Sequence, residues 1–95
     1  MEGVVTIIIA GIGWFPVPEA EVAAVVVRLR QLVLEADEAG QRLVWMFETS
    51  LAAGFDTILV PAESQDLLRD AVTLTIDAAE DASLRLRKLQ LALEA

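Results

Sequence analysis

The last third of the chain repeats apolar or small residues at alternating steps of four and three: Leu68, Val72, Thr75, Ala79, Ala82, Leu86, Leu89 and Leu93. An a/d seam kept over four heptads predicts a helix over 63–94. At 1.5 Å per residue that helix is roughly 45 Å long, more than a small domain needs to cover its own core. The seam is thin at Thr75, Ala79 and Ala82, which suits close packing inside the subunit, and thickens toward its end. A sparse second stripe, Ile76, Leu84 and Leu91, lies on the other side. The expected interface with a partner is therefore Ile76, Leu84, Leu86, Leu89, Leu91 and Leu93.

Composition points the same way. The 95 residues form a single domain, 1–95, with room for one core. Apolar residues make up 56% and aromatics only 5%, so Val, Leu, Ile and Ala must build that core, and the apolar excess needs a subunit interface. Net charge is −8, and residues 1–18, 19–39, 40–64 and 65–95 carry −1, −3, −2 and −2. No segment reverses the sign, which excludes nucleic acid and anionic membranes as partners and leaves a basic protein as the charged alternative. Cys, His, Tyr and Asn are all missing, a profile shared by GC-biased genomes and computed designs. The inventory excludes disulfides, Cys/His zinc sites, cysteine nucleophiles and an imidazole base. The apolar run from Gly3 to Phe15 lacks a basic leader and is shorter than the ~20 residues of a membrane span, so a cytoplasmic protein is expected.

Val4-Val5-Thr6-Ile7-Ile8-Ile9 is β-branched throughout and reads as a buried strand, 4–11. Gly11 and Gly13 end it, and Pro16 and Pro18 forbid its continuation. A helix follows from 18, with Val22, Val25, Leu29, Leu32, Ala36 and Ala39 on one side. Its end is ambiguous. If Gly40 caps it, Leu43-Val44-Trp45-Met46-Phe47 becomes a strand over 42–48, but Glu35, Asp37 and Glu38 then crowd the negative end of the helix. If it runs to Ala53, Gly54 is the cap. Thr57-Ile58-Leu59-Val60, closed by Pro61, gives a further strand over 56–61.

Other patterns carry little chemistry. Gly11-Ile12-Gly13 after a strand matches the opening of a dinucleotide-binding turn, but Pro16 stands where the third glycine belongs. Glu48 and Asp56 could face each other as a carboxylate pair, without the clustered spacing of a cation site. Phe55-Asp56-Thr57, then Pro61 and a helix, faintly resembles the stretch before the last helix of acyl carrier proteins. The resemblance spans under a third of the chain. Thr49-Ser50-Leu51 lacks the Asp of the Asp-Ser-Leu attachment motif, so the resemblance implies no phosphopantetheine carrier here.

The expected fold is α+β, a two-layer β-α-β-β-α domain with strands 4–11, 42–48 and 56–61 beneath helices 18–39 and 63–94. The rival is an antiparallel hairpin of two long helices, 18–53 and 63–94, with a short N-terminal strand. The leading expectation for function is a non-enzymatic, homo-oligomerising assembly or interaction module, most simply a dimer, natural or designed, with no cofactor and no metal. The alternatives are a small acidic inhibitor or antitoxin-like protein on a basic partner surface, and a module binding a small apolar ligand between sheet and helix.

Overall fold

The computed structural model describes residues 3–95. The β-branched run forms strand β1 (Val4–Ile9), but the chain then turns back instead of leaving the sheet. The Ile12 N–H donates to the Ile9 carbonyl at 3.0 Å, closing a turn whose third residue, Gly11, sits at φ 80°. Glycine holds that left-handed backbone without the clash a Cβ would bring. Strand β2 (Gly13–Pro18) follows, antiparallel to β1 with Ile9 opposite Gly13 and Val4 opposite Pro18.

The first strand does end before Pro16 and Pro18, but the two prolines lie within a second strand that the sequence reading did not include. The Thr6 N–H donates to the Asp56 carbonyl (2.7 Å) and the Ala10 N–H to that of Val60 (3.2 Å), so even-numbered β1 residues turn their backbone groups toward strand β3 (Thr57–Val60). Odd-numbered ones face β2, where Val5, Ile7 and Ile9 meet Val17, Phe15 and Gly13. Pro16 and Pro18 have the opposite parity. Their missing N–H groups point off the free edge, where proline costs no ladder bond and blocks an incoming strand.

Strand β3 pairs parallel to β1, giving a mixed sheet of order β2-β1-β3. The parallel pairing requires a crossover, supplied by helices α1 (Glu19–Leu32) and α2 (Glu38–Ala53). These replace both sequence expectations for the middle of the chain, one 42–48 strand and one continuous helix. Asp37 explains the outcome: its carboxylate accepts the Gly40 N–H at 3.0 Å and caps α2. Asp37 and Glu38 therefore meet the positive end of a new helix instead of the negative end of the old one. Leu43, Val44 and Phe47 are buried at helical spacing while Trp45 is exposed, which a strand would not produce. Gly54, at φ 76°, ends α2 in a Schellman turn, with the Phe55 N–H on the Ser50 carbonyl and the Gly54 N–H on that of Leu51.

The long C-terminal helix is likewise two: α3 (Gln65–Ala78), entered through a 3₁₀ turn at Ala62–Ser64, and α4 (Leu84–Glu94). The molecule measures 35 × 29 × 27 Å, and no unbroken 45 Å rod fits inside it. Ala79 is extended (φ −109°, ψ 132°), and the Ser83 hydroxyl accepts the Leu86 N–H at 3.1 Å as the N-cap of α4. The seam survives the fold-back. Leu68, Val72 and Thr75 on α3 and Leu86, Leu89 and Leu93 on α4 are all buried.

The result is the expected α+β class with a different element order and a C-terminal helix much shorter than anticipated. Val5, Ile7, Ile9, Val17, Ile58 and Val60 present one face of the sheet to a helical layer built around Val25, Leu29, Phe47, Leu68 and Leu86. Each fully buried leucine there stabilises the fold by roughly 1.5–3 kcal/mol. Among the described residues, no helix is long and apolar enough to cross a membrane.

Candidate functional site

Side chains alternate across a strand, so burying one set of positions commits the others to the opposite face. With the helices on one side, the other face of the sheet presents Val4, Thr6 and Ile8 from β1, Trp14, Pro16 and Pro18 from β2, and Thr57 and Leu59 from β3. The register places Trp14 beside Ile8 and Ile8 beside Leu59 in one row, with Pro16, Thr6 and Thr57 in the next. Trp14 is 73% exposed and Leu59 59%. None of these eight positions is charged, in a chain with 23% charged residues. An uncovered face normally alternates to polar residues, and this one does not.

Beside it, where α4 packs near β2, lies a groove of ≈ 430 Å³ lined by Trp14, Phe15, Pro16, Arg85 and Lys88. Its second wall is set by a latch. The Glu21 carboxylate of α1 accepts the Ser83 N–H at 2.9 Å and also the Ser83 hydroxyl. That contact fixes the start of α4, and Leu86 and Leu89 turn inward. Arg85 and Lys88, three residues apart and hence on one helical face, are left against β2. Neither makes an ion pair with any described residue.

Other polar side chains hold the fold together. Arg30 of α1 and Glu48 of α2 form a two-pronged ion pair, with Nε to Oε1 at 2.9 Å and a second, shorter contact. The Arg30 hydrogen bond holds the Glu48 carboxyl below its usual range, and Glu48 in turn raises Arg30. Asp56 accepts from the Thr57 hydroxyl, so Glu48 and Asp56 do not act as a pair. No group of three or more His, Cys, Asp or Glu side chains among the described residues could hold a metal ion. Gly11-Ile12-Gly13 serves a hairpin between antiparallel strands, not a strand-to-helix phosphate turn.

Of the six residues expected at an interface, Ile76, Leu86, Leu89 and Leu93 lie in the subunit's own core. Leu84 and Leu91 are 68% and 66% exposed on the outer side of α4. Val27, Leu34 and Trp45 are exposed as well, but they are spread over two helices and their connection. Sequence reasoning missed the sheet face, because it places no strand at Gly13–Pro18, where Pro16 and Pro18 forbid continuation of the first one. The available signal was the alternation of Trp14, Pro16 and Pro18 with Phe15 and Val17.

No protein-family model matches the sequence, and comparison with curated proteins and with solved structures gives no match either.

Proposed function

We propose that this protein is a non-enzymatic self-assembly module whose contact surface is the uncovered sheet face, not the C-terminal helix. The uncharged row Trp14–Ile8–Leu59 carries the reading. Trp14, Leu59 and Val4 on this face are 73%, 59% and 42% exposed, and pairing two copies face to face takes that apolar surface out of water. A second copy is the natural occupant: the face brings no charge to pair with a charged partner, and two such faces stack at ~10 Å as sheets do in sandwiches. The high mean hydropathy, +0.57, supports the same reading. The prolines on the edge of β2 favour stacking over edge-to-edge growth.

The test is the solution mass of the wild type against Leu59→Glu, each at low and high salt. A dimer that persists in salt and dissociates on Leu59→Glu supports the proposal. Assembly with a basic protein would instead weaken steeply with ionic strength.

A further inference from the structure

We infer that the groove between β2 and α4 binds a small planar aromatic carboxylate. The inference rests on where the chain's cations stand, and its groove shares Trp14 and Pro16 with the sheet face proposed to pair. Three of its seven basic residues, Arg85, Arg87 and Lys88, fall within four positions at the start of α4. The partial charge of that helix end is positive, and cations there are locally unfavourable. Arg85 and Lys88 join no ion pair among the described residues, and neither do Arg28, Arg42 and Arg87, so what sets the two apart is their place at a helix start lining a groove. Natural proteins break local rules of this kind at functional sites.

The groove shows what such cations could serve. Trp14, Phe15 and Pro16 of β2 give the groove apolar lining on which an aromatic ring can pack, and Arg85 and Lys88 of α4 complete the lining with two cations. The guanidinium can take a carboxylate through two parallel hydrogen bonds while the ammonium acts as a point charge. Its ≈ 430 Å³ falls in the size range of small-molecule sites. The charge of −8 selects within the anions: its repulsion grows with ligand charge, so a monoanion enters where a polyphosphate is excluded. The site is thus matched to one negative charge on a flat apolar body.

Titration with 2-naphthoate tests this in a Trp45→Phe, Leu59→Glu chain, where Trp14 supplies the single indole N–H signal in a ¹H–¹⁵N spectrum. Leu59→Glu disables the proposed sheet contact, so binding seen there stands whatever the wild type's solution mass. The expected result is a saturable shift of the Trp14 signal, with 2-naphthamide binding about tenfold more weakly. Arg85→Gln combined with Lys88→Gln should weaken naphthoate by a similar factor and leave naphthamide unchanged. Absence of a saturable shift, or equal binding of the acid and the amide, overturns the inference. The acid–amide comparison needs no groove substitution, so it decides the matter even if the double variant folds poorly.

Discussion

The carboxylate of Glu21, in the first turn of α1, accepts hydrogen bonds from both the backbone N–H and the hydroxyl of Ser83, 62 positions along the chain. The same Ser83 oxygen then accepts the Leu86 N–H and starts α4. One acid thereby decides where the C-terminal seam folds back. Ser83→Ala should cost about 1–2 kcal/mol, the upper part of the usual range for a lost N-cap, because it also strips Glu21 of one donor. Urea unfolding of Ser83→Ala, Glu21→Ala and the double variant should show a non-additive cycle. Additive losses would mean that the two residues act separately.

Gly40 should resist the usual gain from placing alanine in a helix. A Cβ there would come within 2.5 Å of Asp37 Oδ2 and 3.0 Å of Val33 Cγ2. Gly40→Ala therefore disturbs the cap of α2, and a loss of about 1 kcal/mol replaces the ~1 kcal/mol gain expected from propensity. The denaturation midpoint reads the sign directly.

Pro16→Thr returns an N–H to the free edge of β2 at a position where its backbone faces outward. Thermal stability should hold or rise, while high-mass species appear on concentration as edges begin to pair. Size-exclusion chromatography over a concentration series checks this, and a variant as well behaved as the wild type would show that the proline does not guard the edge.

The Arg30–Glu48 pair gives a pH dependence with a definite sign. Because Arg30 lowers the Glu48 pKa in the folded state, the pair contributes above the unfolded carboxylate pKa and its contribution is lost as pH falls through the folded one. The Tm difference between wild type and Glu48→Gln should be present at neutral pH, shrink in acid and shrink with added salt, since both side chains are solvent-exposed.

Much of the fold was legible where a single local force dominates. The β-branched runs Val4–Ile9 and Thr57–Val60 announced their strands, while Gly54 stood only as the rival of Gly40 for a helix cap. The breaks were harder. Asp37 and Glu38 are unfavourable at one helix end and favourable at the next, and only the presence of the second helix decides between them. Ser83 was hidden because Ala79 and Ala82 keep the heptad period through the very turn that interrupts the helix. β2 was missed because proline breaks a central strand but not an outward edge position, and edge parity exists only once β1 and β3 are paired. The groove could not be read locally at all: Trp14 and Arg85 meet only through the sheet and the Glu21–Ser83 latch.

These corrections also change which substitutions probe assembly. Asp at Leu86 or Leu89 would unfold the subunit, since both are fully buried, whereas Leu59 on the sheet face and Leu91 on α4 are exposed and can be charged without entering the core. Light scattering on the wild type, Leu59→Glu and Leu91→Asp, with circular dichroism to verify that each is folded, therefore sets the two surfaces against each other. Self-assembly through the sheet requires a wild-type dimer, a dimeric Leu91→Asp and a monomeric Leu59→Glu. A monomeric wild type, or a dimer that Leu91→Asp dissociates and Leu59→Glu does not, would contradict it.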